Sequence, residues 1–568
     1  MEMTSAKETP EIEQCSATGE PGPRPVHTSP ASGLVGPPLG RWTKMHFGLL
    51  LVALTILVVA GQGQHFFYDE WAFVGGERDA SPLLDRYLLP HNEHWSTLPL
   101  MAYRTLGATV GVGSYWPYLG LLLLLHLGVT HALWRLMLVT GSKPIVATTL
   151  ATVFSVLGAA AEDLVWAFQI GFVGSTLLGV GGVYLAITGT TNWRKTGALA
   201  FLTLAGLATS GVGLSYLIAI PVVYSWRNRR HAVVVFCLPL LVYATWFALY
   251  GRSATSSLHV HASAIAVLVV AAFVVVGLVA ALAKSFGFDD GLVPWLFVGV
   301  PILAVLLLAC RDWLVDRTLA GRTLLAMCVG AAAFFVIAGL ARGGAGPESA
   351  TASRYDYVAI ALLLPGIALI LSHAADRQAR LMTAIVPVAI VISATNTFQL
   401  LTYADNQRAH NDTSMRILVA ASDLLRSNSS IFVEQLPEPL LAPDLTTADL
   451  AAGHLDGAFA GVRPSPLDRL TASLNLQIRV TSIRGTGMTA SCQTTLEQPI
   501  TVPTNRRTTQ TFFLSADAPV ELTLNDMGLH STQRAVDLTK GTYRIDSLRD
   551  DGELMIESKS PLSLLANC

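Results

Sequence analysis

The sequence predicts a polytopic α-helical membrane protein that carries a β-rich C-terminal domain. Only 13% of the 568 residues are charged, about half of the quarter that is usual in soluble domains. The hydrophobic fraction of 52% cannot be enclosed in ordinary globular cores, because those still need a charged, mixed surface. The charges are also uneven, since 30 of them lie in the last 154 residues. An entirely soluble chain is therefore excluded.

Ten apolar runs in the first 414 residues approach the length of about 20 residues that crosses a hydrocarbon core. They are 46–62, 116–139, 144–160, 169–188, 232–250, 264–283, 291–310, 323–341, 357–372 and 381–401. A further stretch, 196–226, is interrupted at Ser210-Gly211-Val212-Gly213 and could form two short helices or one long tilted helix. We therefore expect about 11 to 13 transmembrane helices, within a membrane domain that covers residues 45–404.

The N-terminal arm and the first crossing suggest an orientation. Residues 1–44 are rich in Pro, Gly, Ser, Thr and Glu and are predicted to be disordered. Arg41 and Lys44 directly precede the first apolar run, so the positive-inside rule places the N-terminus in the cytoplasm and residues 63–100 outside. Counting 196–226 as two crossings gives twelve, which would leave the tail in the cytoplasm. If the tail lies outside, one segment between 196 and 310 must be miscounted.

Two observations favour an extracytoplasmic tail. The basic stretch 375–380 precedes the last apolar run and is typical of a cytoplasmic flank. Cys492 and Cys568 could pair in an oxidising compartment, although two free thiols fit equally well. We therefore expect a multi-pass protein of the plasma (inner) membrane, in which residues 405–568 form an extracytoplasmic domain.

The tail changes its period along its length. After a helix-like stretch at 414–426, strand-like alternation begins near residue 475 and is clear in 474–480 and 509–514, with turn signals at Arg484-Gly485 and Asn525-Asp526. Short alternating strands at this spacing predict a sandwich or jelly roll. Such folds often bind carbohydrate, but a fold alone does not establish a function.

A first polar cluster, at residues 65–71, follows the first crossing. Asp69 and Glu70 lie there between Tyr68 and Trp71. Paired carboxylates beside aromatic rings, away from bulk water, would hold protons more tightly and could act as a general base or bind a divalent ion. The alternative is an aromatic interfacial belt in which Asp69 caps a short helix.

A second cluster lies in the same predicted external loop. His91 and His94 are three residues apart, and Glu93 lies between them. These side chains could bind a metal or hydrogen-bond a phosphate. Solvated loop histidines are common, so the spacing alone is weak evidence.

A third cluster contains the acidic pair Glu162 and Asp163, followed by Trp166. Acidic residues at a helix N-terminus are favoured by the helix dipole, which is the simpler explanation. Two external loops that each carry an acidic pair at the membrane surface are nevertheless more than helix capping requires.

The predicted external loop 342–356 would face these acidic pairs. It contains Arg342 and Arg354, whose guanidinium groups could hold phosphate oxygens in a bidentate manner. Tyr355 could stack on a sugar or mark the interface. Arginines that merely extend to the membrane surface are the commoner case.

Together, the residues and their order resemble the GT-C superfamily of integral-membrane glycosyltransferases. The resemblance rests on topology over residues 45–400 and on three short motifs: Asp69-Glu70, Glu162-Asp163 and Ser353-Arg354-Tyr355. The branch that the chain most resembles contains protein O-mannosyltransferases, aminoarabinose transferases and bacterial cell-envelope relatives. The cluster of His91, Glu93 and His94 departs from the general superfamily pattern.

The resemblance implies that a sugar passes from a polyprenyl-phosphate-linked donor to a glycan, lipid or protein acceptor at the external face. It implies that Asp69 is the base, and that Glu70, or Glu162 with Asp163, orients the acceptor or a metal. Arg354 is the candidate for the phosphate, with Arg342, His91 and His94 as further candidates. A divalent cation could take part, but the sequence does not establish a cofactor.

Two other functional classes stay open, and the sequence argues against two further classes, nucleic-acid binding and nucleotide binding through a phosphate loop. A transporter or lipid-linked-sugar flippase would carry charges near the membrane midplane and internal repeats. A non-catalytic scaffold with a glycan-binding tail is the other alternative. The net charge of −2 argues against a nucleic-acid partner, and the sequence contains no phosphate-binding Gly-x-x-x-x-Gly-Lys-Ser/Thr motif.

Overall fold

A computed structural model describes most of the chain from residue 40 onward. The described residues are 40–75, 82–253, 264–316, 318–427, 429–482, 493–496, 500–503, 510–516, 520–526, 531–538, 541–548, 553–558 and 562–565. Most of the predicted N-terminal arm and both Cys492 and Cys568 lie outside them. The first helix begins at Gly40, so residues 40–44 of the predicted arm are helical. In the first turn Arg41 stacks on Trp42, with 5.1 Å between its guanidinium carbon and the ring centroid.

Helices make up the greater part of the described chain. In order they are α1 Gly40–Gly61, α2 Trp71–Val74, α3 Leu83–Leu88, α4 Thr97–Val110, α5 Trp116–Val139, α6 Pro144–Ser155, α7 Glu162–Val165, α8 Ile170–Ile187, α9 Trp193–Leu207, α10 Gly213–Ser225, α11 Arg229–Leu249, α12 Ala264–Lys284, α13 Leu292–Pro294, α14 Val300–Asp316, α15 Leu319–Arg342, α16 Ser353–Arg377, α17 Ala379–Arg426, α18 Thr447–Ala451 and α19 Pro466–Gln477. Nine helical segments among the described residues are long and apolar enough to span a membrane. The predicted helical membrane class is confirmed.

The interrupted stretch 196–226 is two helices, α9 and α10. The side chain of Asn192 caps α9 by accepting a hydrogen bond from the backbone N–H of Lys195 at 2.9 Å. Close packing then holds α10 against α8. A Cβ atom at Gly179 of α8 would lie 2.1 Å from the ring of Tyr216 on α10, so only glycine permits this approach.

The two sides of the helical bundle can be told apart by their contacts. We call the side that carries residues 62–75 and 82–115 the site side. Trp246, near the end of α11, reaches it, because its indole stacks on Trp95 at 5.2 Å and donates to the carbonyl of Leu88. The end of α14 lies on the opposite side, where Trp313 packs against Gly321 at the start of α15.

These contacts resolve the count of crossings. Since α11 ends on the site side and α14 starts there, α12 between them makes no net crossing. Lys284, its last residue, contacts Asp356 and the carbonyl of Thr351 at the site-side end of α16. The run 264–283, which the sequence predicts to be a crossing, therefore makes no net crossing of the bundle. Its apolar sequence has the composition of a spanning helix, and only packing against α15, with Phe273 against Gly339, shows otherwise.

The last long helix, α17, is continuous for 48 residues. At 1.5 Å per residue it is about 72 Å long, more than twice the thickness of a hydrocarbon core of about 30 Å. It therefore crosses the membrane and projects beyond it on the site side. The predicted helix at 414–426 is its final part. The predicted boundary between residues 404 and 405 lies inside α17, because the polar residues after 404 keep helical geometry.

Nine strands follow among the described residues, in two antiparallel sheets. They are β1 Ile478–Ser482, β2 Gln493–Leu496, β3 Ile500–Pro503, β4 Gln510–Ala516, β5 Val520–Asp526, β6 Ser531–Leu538, β7 Gly541–Ser547, β8 Glu553–Ser558 and β9 Leu562–Leu565. The sheet orders are β1-β7-β4-β9-β2 and β3-β8-β5-β6. The β-rich domain is confirmed, with one correction. Residues 474–477, predicted as strand, end α19, because Ser465 and Asp468 form a capping box that starts this helix.

The position of α12 predicts which surfaces are accessible from each side of the membrane. In a chain whose native cysteines are replaced, Ala409→Cys on α17 is expected to react with an impermeant maleimide in intact cells. Arg230→Cys at the start of α11 is expected to react only after permeabilisation, since five crossings separate the two positions. Labelling of both from the same side would mean that α12 crosses the membrane.

Candidate active site

A cavity of about 720 Å³ lies on the site side of the bundle. Its walls come from residues 67–69 and 92–94, the turn before α8, the end of α15, the start of α16, and residues 443–444. Eight of the predicted site residues line it: Asp69, Glu93, His94, Glu162, Trp166, Arg342, Arg354 and Tyr355. Tertiary structure thus brings together four clusters that are far apart in the sequence.

Asp69 lies in a single 3-10 turn directly after the first crossing. The preceding residue, Tyr68, has a φ of 51°, a left-handed conformation that is strained for an aromatic residue. The backbone N–H of Tyr68 donates to the carbonyl of Leu441 at 2.9 Å, which helps to hold this conformation. The Asp69 carboxylate accepts a hydrogen bond from Asn92 at 3.4 Å and is directed into the cavity.

Glu70, its neighbour, points away from the cavity into the protein. Its carboxyl group is fully buried and accepts hydrogen bonds from the hydroxyls of Tyr103 at 2.5 Å and Tyr115 at 2.9 Å, and from the backbone N–H of Phe67 at 2.8 Å. Burial raises the pKa of Glu70 to about 8, although these hydrogen bonds act in the opposite direction. Glu70 thus fixes the turn that carries Asp69, and its own carboxyl group does not reach the cavity.

The second cluster forms a tight hairpin. His91 and His94 exchange two backbone hydrogen bonds of 3.1 Å, and Asn92 between them has a φ of 51°. This turn directs the two histidines to different surroundings. The His91 ring lies beside Asp69, with 3.9 Å between Nε2 and the carboxylate. The His94 ring packs edge-on against Phe172.

Glu93 forms an ion pair with Arg342, with 2.7 Å between carboxylate and guanidinium. Burial acts to raise the pKa of Glu93, but the hydrogen bond and charge of Arg342 outweigh it, so this pKa lies below its usual value. Burial is also the main cause that lowers the pKa of His94 to about 4, with Arg342 acting in the same direction. His94 is therefore a neutral ring at physiological pH.

Glu162 forms the second ion pair, with Arg354 at 2.9 Å. The same carboxylate oxygen accepts from the side-chain amide of Gln169 at 3.2 Å. Ser353 fixes the start of α16 beside this pair by donating to the carbonyl of Ala159 at 2.9 Å. Arg354 thus faces the cavity with a defined orientation and further N–H groups that the ion pair does not use.

Asp163 is the second predicted residue that turns inward. It is fully buried, and neither carboxyl oxygen has a hydrogen-bond partner within the part of the chain that the structure describes. Burial, and then the charge of Glu162, raise the pKa of Asp163 well above its usual value. This shift favours the uncharged form of the Asp163 side chain.

Aromatic rings form one side of the cavity. Trp166 stacks on Phe168, with 5.1 Å between ring centroids, and meets Tyr68 edge-on at 6.5 Å. Tyr355 lies under the Arg354 guanidinium, 5.5 Å from its central carbon. Aromatic rings that line a cavity in this way are suited to contact with the apolar faces of a sugar.

Sequence reasoning missed several residues of the cavity wall. Asp444 follows a proline in the segment between α17 and α18, and Tyr403 and Gln407 lie on α17. No local pattern marks them, because each is a single polar residue in a segment whose position depends on tertiary contacts.

No protein-family model and no curated protein sequence matches this chain. Among solved structures, the chain is similar to ArnT from Cupriavidus metallidurans, in a crystal structure bound to undecaprenyl phosphate. The two chains are 14% identical, and the alignment covers 78% of this chain and 94% of ArnT with a TM-score of 0.47.

The buried carboxyl group of Glu70 predicts a pH dependence of stability. The folded state keeps this proton up to about pH 8, whereas an ordinary glutamate releases it near 4.5. The folded state therefore binds more protons between these values, and the free energy of unfolding falls as the pH rises through this range. Glu70→Gln is expected to flatten this part of the curve, measured as the thermal unfolding midpoint in detergent from pH 5 to pH 8.5.

Glu348→Gln is the matched control for Glu70→Gln, because Glu348 is exposed. The control is expected to keep the wild-type slope. An unchanged slope in Glu70→Gln would show that Glu70 does not carry the pH dependence.

Proposed function

We propose that this integral membrane protein transfers a sugar from a polyprenyl-phosphate-linked donor to an acceptor at the external face of the membrane. The acceptor would be a cell-envelope glycan, a glycolipid or a protein. One observation carries the proposal: a single cavity on the site side combines Asp69, two arginines in ion pairs, aromatic rings and an apolar helix wall.

The two arginines supply the chemistry that a phosphate needs. Each guanidinium has five N–H donors, of which the ion pairs to Glu93 and Glu162 use only part. The remaining donors of Arg342 and Arg354 can hold phosphate oxygens. They can also stabilise the negative charge that develops on the phosphate as the bond to the sugar breaks.

The apolar wall supports a lipid-linked donor. One face of α15, with Phe334, Ile337, Ala338 and Ala341, lines the cavity directly before Arg342. A polyprenyl chain can pack along this helix inside the membrane while its phosphate reaches the arginines at the helix end. A water-soluble nucleotide sugar would gain nothing from such a wall.

Asp69 is the proposed base. Its carboxylate takes the proton of the acceptor hydroxyl, the hydroxyl oxygen bonds to the anomeric carbon, and the bond from that carbon to the phosphate oxygen breaks. The electron pair of the broken bond leaves with the polyprenyl phosphate. Glu162, fixed by Arg354 and Gln169, is placed to orient the acceptor or the sugar.

The charge distribution supports the proposed orientation. Lys195 and Arg227 both donate to the carbonyl of Thr188 on the side opposite the cavity, and Arg322 stacks on Trp226 there, 3.7 Å from the ring centroid. Basic residues concentrate on the cytoplasmic side of membrane proteins. The cavity and the β-rich domain would then face the outside of the plasma membrane.

The transporter alternative predicts charged groups near the membrane midplane. The charged residues of the cavity lie in loops and at the ends of α15 and α16, which favours transfer over translocation. Formation of a glycosidic bond distinguishes the two: membranes supplied with a radiolabelled polyprenyl-phosphate sugar should move label to a saccharide or protein acceptor.

Asp69→Asn is expected to lower the transfer rate at saturating donor by at least about 100-fold, because a positioned base contributes roughly 10²- to 10⁴-fold. Asp412→Asn is the matched control, since Asp412 is an exposed carboxylate on α17 that also lies 3.9 Å from a histidine. Full transfer by Asp69→Asn at normal membrane expression would exclude Asp69 as the base.

Arg354→Lys keeps the charge beside Glu162 but removes the planar guanidinium. We expect the KM for the donor to rise about tenfold, since a lysine cannot form the bidentate contact to phosphate. Arg408→Lys, on α17 and paired with Asp405 at 2.9 Å, serves as the control and should leave KM unchanged. An unchanged donor KM in Arg354→Lys would contradict the assigned phosphate contact.

A further inference from the structure

Three side chains from separate segments converge at one edge of the cavity. They are Asp69 after the first crossing, His91 in the hairpin and Asp444 in the segment after α17. One ligand atom from each lies within 4.8 Å of the others. Two carboxylates this close repel each other, which favours a cation between them.

His91 gives an independent indication of a ligand. Its side chain is more than nine-tenths buried, yet Nε2 has no hydrogen-bond partner among the described residues. Leaving a buried polar atom unsatisfied is costly. The ring cannot easily turn to find a partner, because it meets Phe73 edge-on at 5.1 Å and Phe168 at 5.4 Å. Nε2 is thereby held toward Asp69, 3.9 Å away.

The backbone around these side chains is fixed in conformations that a non-glycine residue rarely adopts. The two non-glycine residues with positive φ among the described residues are Tyr68 and Asn92. Tyr68 precedes Asp69, and Asn92 follows His91. Such conformations cost free energy and occur preferentially at functional sites.

The third segment is tied to the first. Leu441 accepts the backbone hydrogen bond of Tyr68 at 2.9 Å, and its own N–H donates to the carboxylate of Glu438 at 3.2 Å. These contacts hold the chain that carries Asp444 against the turn that carries Asp69. The convergence of the three side chains therefore does not depend on side-chain placement alone.

We propose that Asp69, His91 and Asp444 bind one divalent transition-metal ion, Zn²⁺ or Mn²⁺. An imidazole nitrogen with two carboxylates suits these ions better than Ca²⁺, which takes oxygen ligands. Two carboxylates also balance the charge of the ion. With metal–ligand bonds of about 2.1 Å, ligands of a tetrahedral ion lie about 3.4 Å apart, so binding requires the three groups to close by at most about 1.4 Å.

The role of the ion rests on the proposed function. Asp69 and Asp444 both line the cavity, so the open positions of the ion face it. An acceptor hydroxyl bound there would have a lowered pKa. One oxygen of Asp69 would hold the ion, and the other would remain free to take the hydroxyl proton.

Metal binding can be measured without any transfer reaction. The full chain, purified with a tag that contains no histidine and stripped with a chelator, is dialysed against Zn²⁺ or Mn²⁺ alone, and bound metal is counted by mass spectrometry. We expect one ion per chain. His91→Gln and Asp444→Asn are each expected to weaken metal binding by more than about 100-fold. This is a larger loss than expected for a residue that only hydrogen-bonds to a metal ligand.

His65→Gln is the matched control, because His65 also lies on the site side and its ring nitrogen is 3.9 Å from a carboxylate, that of Asp412. The control should bind metal as the wild type does. The metal should also raise the unfolding temperature of the wild type and of His65→Gln, but not of His91→Gln. Equal elution volumes without metal establish that the variants are folded.

The proposal is overturned if the wild type binds no stoichiometric ion, or if His91→Gln and Asp444→Asn bind as tightly as the wild type. A chain that binds the ion but transfers no sugar would support the site and contradict the proposed function. A chain that transfers sugar and binds no ion would support the proposed function and contradict the metal site.

Discussion

The buried carboxyl group of Glu70 is the contact on which the geometry of the cavity depends. Tyr115 donates to this carboxyl and accepts from the backbone N–H of Ala167 at 2.8 Å. One hydroxyl thus joins the turn that carries Asp69 to the turn that carries Trp166. Tyr103 on α4 adds a second donor. Because the group is buried, breaking either contact leaves an unsatisfied polar atom, which is why the two turns are held in a fixed relation.

Ion pairing and raised pKa values explain how so many ionisable groups can lie at the level of a membrane surface. Glu93 and Glu162 are each paired with an arginine, and Lys284 lies 2.6 Å from Asp356. Burial raises the pKa of Asp163 well above its usual value, which favours its uncharged form. Paired or neutralised groups avoid most of the cost of desolvation. What the cavity offers to a ligand is then the unused donors of two arginines and the acidic edge formed by Asp69 and Asp444.

Acidic residues that are neighbours in the sequence point in different directions because of the backbone geometry of their turns. Asp69 and Glu70 follow each other in one 3-10 turn, where successive side chains point in directions about 120° apart, so one faces the cavity and the other the core. Glu162 and Asp163 separate in the same way at the start of α7. The acidic pairs could be found from the sequence because charges are scarce there, but the direction of each side chain depends on the turn.

The membrane class, the apolar helices, the β-rich tail and most of the polar residues that line the cavity could be predicted from the sequence. These follow from local composition and periodicity, which a low charge content makes easy to interpret. Three features could not be predicted in this way: α12 makes no net crossing, α17 continues through the predicted domain boundary, and Asp444 lies beside Asp69 and His91. Each of these depends on contacts between segments far apart in the chain, and hydropathy and spacing contain no information about such contacts.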